Sequence, residues 1–363
     1  MTVHDLTTDL SRRPVRPVDP PLGPPAPNGP RTRPPQAQVM ELSTGYWKTQ
    51  VTYVLAELGV ADLLADAPAP ADDLAGRVGC AADPLRRLLR AGAGLGLFAT
   101  DGDGRFRLTD LGQCLRSDVP QSVRSLVLLA GAEHYVTWGH LLDCVRSGRP
   151  QLQAALGADS WWGYLHDHPE RSELFDRAMA ELSRSSQTRA LQPYDFGRVR
   201  RLVDVGGGTG TLLAQVLTAH PGLTGVLFDR PEVVANAGPV LGDLTGRCEV
   251  VGGDMFAAVP AGGDAYLLCS LLHDHNDAAA RRILTNIRAA MEPGGTLLLV
   301  ETVLPDDDSP HLAKLNDLNM MVMIDGRERT HDELSALLAD TGFRLEPSRP
   351  SPSPAQLLVA HRI

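Results

Sequence analysis

Residues 202 to 213 read LVDVGGGTGTLL, with glycines at 206, 207, 208 and 210 directly after an apolar run. A glycine row lets the backbone take positive φ and approach a bound molecule closely, so this stretch predicts a strand, a tight turn and a helix. The pattern then repeats. Short apolar runs at Leu202 to Val205, Gly225 to Phe228, Glu249 to Val251, Ala265 to Leu272 and Thr296 to Val303 read as strands. Leu212 to Ala219, Pro231 to Ala237 and Ala278 to Met291 read as helices between most of them. Such alternation builds βαβ units, so the fold class is α/β: a Rossmann-like, doubly wound and mostly parallel sheet covered on both faces. Ligands of these sheets sit at the carboxyl ends of the strands.

The loop is not the dinucleotide fingerprint. Counting from Gly206, the sixth position is Thr211, which leaves G-x-G-x-G ending at Gly210. Asp229, at the tip of the second strand and 23 positions after Gly206, is placed to accept from two ribose hydroxyls. The third strand ends in GGDMF, where Asp254 can accept from an adenine amine while Met255 and Phe256 offer apolar faces to the base. Asp254 also reads as a simple turn residue. No phosphate-cradling G-x-x-x-x-G-K-[ST] occurs, so the pocket suits a nucleoside without a triphosphate.

Upstream the texture differs. Ten of the 28 prolines fall in the first 35 residues, and residues 1–38 read as a disordered tail. Residues 39–118 read as helices followed by two short strands around Asp101 to Gly104, a winged-helix-like domain. Eleven acidic against eight basic side chains between 40 and 118 make a module that repels phosphate, so packing or dimerisation is expected rather than DNA binding. Residues 119–196 read as helices holding three of the four tryptophans, rings that fill a core or wall a pocket for a flat substrate. The sheet domain occupies 197–363. With a formal charge of −10, nucleic acid and acidic membranes are disfavoured partners. No apolar run approaches the ~20 residues of a membrane span, and Arg12-Arg13 is followed by prolines rather than an export signal, so a cytoplasmic chain is expected. Cysteines 80, 114, 144, 248 and 269 are too scattered for a disulfide framework or a zinc site and read as buried thiols.

LVDVGGGTG, GGDMF, LLHDH, MEPGGTLLLVET and GRERTHDELSALLADTGF stand in the order and spacing of the S-adenosylmethionine-dependent O-methyltransferases of the plant caffeate and bacterial polyketide type, which residues 40 to 363 resemble. The resemblance implies S-adenosylmethionine as cofactor, a small-molecule acceptor and a homodimer with interlocked N-terminal helices. It implies a cofactor pocket including Gly206, Asp229, Asp254 and Met255, with Ser183 and Met179 from the helix before the sheet. Gly208, Arg230, Phe256 and Ser270 complete the candidate cofactor residues. Trp138, Met179, Asp274, Met320 and Met323 are the candidate acceptor-side residues. Three departures stand out: His275 where tryptophan is common, Cys269 where a lysine often stands four residues before the base, and one residue fewer before GRERT than in the plant form.

Methyl transfer from a sulfonium needs alignment and a nucleophile. A phenol of pKa ~10 stays protonated at neutral pH, so a base raises its reactivity. His273, after the fourth strand, is the candidate base. By the resemblance, Glu301 and Glu328 lie beside it and would fix its tautomer and stabilise the imidazolium. His273, Asp274 and His275 on an extended segment point to alternate sides, so they make no metal site. The expected activity is O-methylation of a phenolic metabolite. The alternatives are N-, S- or C-methylation, or a non-methylating reaction, on the same scaffold, and more remotely a winged-helix regulator.

Overall fold

The computed structural model describes residues 34–347 and 355–363. The expected tail lies mostly outside the described residues, but its end is ordered: a helix runs over Pro35–Ser43, entered at Pro34 and Pro35 as prolines favour in a first helical turn. The chain divides into a unit ending at Gly45 and a second unit from Tyr46 to Ile363. In the first, Val39, Met40 and Leu42 are exposed.

The second unit includes all but the first residue of the helix Gly45–Glu57, and the helices Ala71–Val78 and Ala82–Gly94. On Ala82–Gly94 the apolar face at Leu85, Leu89 and Gly92 is buried, and Gly92 lies so close to Leu55 and Phe98 that a Cβ would meet them at 2.8 and 2.9 Å. Strands β1 (Phe98–Thr100) and β2 (Phe106–Leu108) form the antiparallel hairpin that completes the winged shape. Its turn closes on Asp101, whose carboxylate accepts from the backbone N–H of Asp103 and Arg105 at 3.0 and 2.9 Å. Helices from Arg124 to Leu191 then pack Trp161, Leu165 and Leu174 into a helical core. Two stretches, Ala130–His134 and Ser183–Gln187, are π-helical.

The sheet has seven strands: β3 (Arg201–Val205), β4 (Thr224–Asp229), β5 (Cys248–Gly252), β6 (Ala265–Cys269), β7 (Thr296–Glu301), β8 (Phe343–Leu345) and β9 (Gln356–Arg362). They lie in the order β5-β4-β3-β6-β7-β9-β8, parallel from β5 through β7. The strands β8 and β9 are antiparallel additions. Their strands carry buried apolar runs with helices on both faces, so the central ones are almost wholly covered. The order reverses between β3 and β6, and the crevice there faces the glycine loop.

Two expectations are corrected. The fourth strand does not run to Leu272: it stops at Cys269, Ser270 takes a left-handed φ of 49°, and Leu272–Asp274 form a 3₁₀ turn. Leu271 and Leu272 read as strand because they are apolar, but they are buried against the helical layer from that turn. The fifth strand stops at Glu301 rather than Val303, which forms only a single bridge to Arg329.

Candidate active site

A cavity of about 610 Å³ opens at the carboxyl ends of β3, β4 and β6, between them and the helix Pro169–Leu182. Its lining brings together every candidate cofactor residue: Gly206, Gly208, Asp229, Arg230, Asp254, Met255, Phe256, Ser183 and Ser270. Met179 and Asp274 line it as well.

The loop works as its glycines suggested. Gly206, Gly208 and Gly210 have φ of 73°, 60° and 89°. A Cβ on Gly206 would meet Leu271 at 2.8 Å, and one on Gly207 would meet Leu227 at 2.5 Å, whereas Gly208 faces open space. Asp229 accepts from the N–H of Gly208 at 2.8 Å and of Arg230 at 2.7 Å. Burial raises its pKa against the pull of those two donors. A carboxylate has about four acceptor positions, so lone pairs remain for a ligand. Asp254 does serve the turn, accepting from Phe256 N–H at 2.8 Å, and it also lines the cavity. Phe256 stands edge-on to His275, with ring centres 5.3 Å apart, so histidine packs there through its ring.

Gln187 and Asp204 are among the cavity residues that escaped the sequence reading. Gln187 donates to Ser270 Oγ at 2.9 Å, and its other amide atom lies 2.7 Å from Ser183 Oγ. It stands one turn after Ser183 on the same wall, a spacing that could have revealed it. Asp204 is 1% exposed, and neither carboxylate oxygen has a partner among the described residues. Burial, then repulsion from Asp229, pushes its pKa up to about 7.

The His273 turn sits beside the cavity, between lining residues Leu271 and Asp274. His273 Nδ1 lies 3.0 Å from Glu328 Oε1, and Nε2 lies 3.4 Å from Asp274 Oδ1. Glu328 is 1% exposed and is held from the helix Leu312–Ile324, where Asn316 donates to its carboxylate and Asp317 accepts from its N–H. Glu301 behaves differently from the expectation: it touches the backbone, accepting from Leu271 and Leu272 N–H at 3.1 and 2.9 Å, rather than the ring. It fixes the turn and contributes its field. Burial alone would lower the His273 pKa, but Asp274, Glu328 and Glu301 overcome that and push it up to about 10. Burial holds Asp274 up at about 6 and Glu301 at about 7 although the imidazole pulls both down.

Arg329 was also missed. Buried among oxygens, it donates to the carbonyls of Leu272 and His275, both at 2.8 Å, and to Asp277 at 2.9 Å, so it clamps both sides of His273. Gly326 presses on the same turn, where a Cβ would meet His273 O at 2.2 Å. His273, Asp274 and His275 are therefore not extended, and the metal argument built on alternation does not apply. The trio with donor atoms within 4.8 Å of one another is His273, Glu301 and Glu328.

Three acceptor-side candidates are not in the cavity lining. Trp138 donates to Asn319 Oδ1 at 2.8 Å and packs on the helical core. Met323, 2% exposed, is a member of that core and not a pocket wall. Met320 is buried on the same helix, one turn after Asn316.

Residues 138–344 match the O-methyltransferase domain family, and residues 40–118 match the O-methyltransferase dimerisation domain. The chain belongs to this O-methyltransferase family. The methyltransferase is 40% identical to a phenazine O-methyltransferase, PhzM, of Lysobacter antibioticus, over 90% of this chain and 96% of that protein. It is also 40% identical to an 8-amino-8-demethylriboflavin N,N-dimethyltransferase of Streptomyces davaonensis, over 81% of this chain and 86% of that one. The crystal structure of human N-acetylserotonin methyltransferase with S-adenosylmethionine superposes with a TM-score of 0.85 at 29% identity, covering 92% of this chain and 99% of that one. S-Adenosylmethionine is thus the cofactor of this methyltransferase, and the open space at Gly208 together with the unpartnered Asp204 carboxylate under the loop fits a ligand bearing a cation. The dimerisation domain makes the methyltransferase a homodimer, and Tyr46 and Trp47 are exposed apolar surface of the kind a second copy covers. No helix among the described residues is long and apolar enough to cross a membrane.

Proposed function

We propose that this methyltransferase methylates a phenolic hydroxyl of a flat, small-molecule specialised metabolite in the cytoplasm, with His273 as the base. The supporting observation is the 3.0 Å contact between His273 Nδ1 and a buried Glu328, with Nε2 turned to Asp274, a residue of the cavity lining, on the side where the acceptor's proton would arrive. The ring systems named for the relatives, a phenazine and an aminated flavin, are planar and support a flat acceptor. Asp229 takes the ribose hydroxyls, Asp254 the adenine amine, and Met255 and Phe256 the faces of the base. Ser183, Gln187 and Ser270 hold the amino-acid end, with Gly206, Gly208 and Arg230 shaping the ribose side. Met179 and Asp274 stand where cofactor and acceptor meet.

When bound, S-adenosylmethionine supplies an electrophilic methyl group on a positive sulfur. A base must be neutral to act; Asp274, Glu328 and Glu301 push the His273 pKa up to about 10, close to the ~10 of a phenol, so a proton passes between acceptor and ring at little cost. As the acceptor proton reaches His273, Glu328 stabilises the new imidazolium. Glu301 and Arg329 keep the ring aimed.

The second reading is N-methylation, favoured by the equally similar dimethyltransferase. Incubating the enzyme with methyl-labelled cofactor and a panel of phenols and aryl amines separates the two by mass spectrometry. Label on oxygen supports the proposal; label confined to nitrogen overturns it.

A further inference from the structure

The helix Pro169–Leu182 and its π-helical extension turn one face to the cavity: Ser172, Asp176, Met179, Ala180, Ser183 and Gln187 follow at three- and four-residue steps. Its far end is fixed at Ser270, three residues before the proposed base, through Gln187. Seven residues separate Asp176 from Ser183, about 10 Å along a helix, which carries Asp176 away from that end and to the neighbourhood of Asp229 and Arg230.

Asp176 has no hydrogen bond or ion pair among the described residues. The nearby Arg230 is engaged elsewhere, 3.2 Å from Glu232 and over the ring of Trp162 at 5.3 Å. The lining as a whole is lopsided. Asp176, Asp204, Asp229, Glu232, Asp254 and Asp274 face a single arginine, with no lysine. Burial first, and then repulsion from Asp229, raises the Asp176 pKa to about 6. Holding so many carboxylates together is costly unless something positive enters.

The cofactor has sulfonium, ammonium and carboxylate groups, a net charge of one positive unit. The thioether product lacks only the sulfonium charge. Four of the other acids have local partners: Asp229 binds two backbone N–H groups, Asp254 closes its turn, Asp274 faces His273 and Glu232 pairs with Arg230; Asp204, unpartnered like Asp176, lies buried under the loop.

We propose that Asp176 is a charge-reading residue of the cofactor site, whose carboxylate favours the sulfonium cofactor over the neutral thioether and so assists release of the spent product. This rests on the reading that Asp229 holds the ribose. Because ribose is common to both ligands and the sulfonium is not, the two carboxylates have separable signatures.

Calorimetry on the full-length protein with S-adenosylmethionine and S-adenosylhomocysteine tests it. Asp176→Asn, nearly isosteric, should weaken the sulfonium ligand roughly fivefold and the thioether less than about twofold, the size expected of one charge across a partly solvated wall. Asp176→Glu, which keeps the charge, should retain the wild-type preference, and in thermal melts Asp176→Asn should be no less stable than the wild type. Asp229→Ala should weaken both ligands, the thioether included, by well over twofold. Equal effects of Asp176→Asn on the two ligands, or none, overturn the inference while leaving the ribose reading intact. Asp229→Ala without effect on either ligand overturns both.

Discussion

In His273→Ala, turnover of a phenolic acceptor falls by about two to four orders of magnitude, the range that a positioned general base supplies. Affinity for S-adenosylmethionine stays within about twofold, since the ring stands beside the cavity and not in its lining. The expected loss is large because the site around the ring is built for one purpose. Glu328 holds Nδ1, Glu301 ties down the two N–H groups before the ring, and Arg329 holds the carbonyls on either side. Removing the imidazole leaves three buried carboxylates without the cation they stabilise. Single-turnover rates paired with cofactor calorimetry measure both halves. An unchanged rate would mean that the acceptor ionises unaided.

Asp229→Ala acts on the other half of the reaction. The cofactor Kd rises by about ten- to a hundredfold, as expected when a charged acceptor of two hydroxyls is lost. At saturating cofactor the methylation rate falls far less, because on the proposed reading the amino-acid end is held by other residues, Ser183, Gln187 and Ser270. Some loss is indirect, since the N–H groups of Gly208 and Arg230 lose their shared acceptor and the loop loosens. Isothermal calorimetry reads the affinity. No change would contradict the ribose assignment.

The cavity lining at the glycine loop was legible because its signals are local. Glycines at 206, 208 and 210 announce positive φ, and Asp229 and Asp254 each fall at a strand end that an apolar run marks. The surroundings of His273 depend on distant segments. Nothing in the sequence around Arg329 tells that it reaches back to residues 272 and 275, and Asn316 meets Glu328 only because a helix crosses the turn. Trp138 and Met323 drew attention as bulky and adaptable side chains, yet they pack on or within the helical core, the commoner fate of such residues. Glu301 was correctly placed near the histidine, but its contacts go to the backbone because the strand ends where it does. The two antiparallel strands were not read, since βαβ alternation predicts only parallel partners. Hydrophobic runs also hid the end of the fourth strand: only the left-handed Ser270 shows where the turn begins.

The most direct test compares wild type and His273→Ala across phenols that the enzyme accepts and that differ in acidity, with kcat measured at fixed pH. If His273 takes the proton, the gap between the two enzymes narrows steadily as the phenol becomes more acidic and nearly closes for one already ionised. A gap of constant size across the series would contradict proton transfer to His273 and leave the ring a role in shape alone.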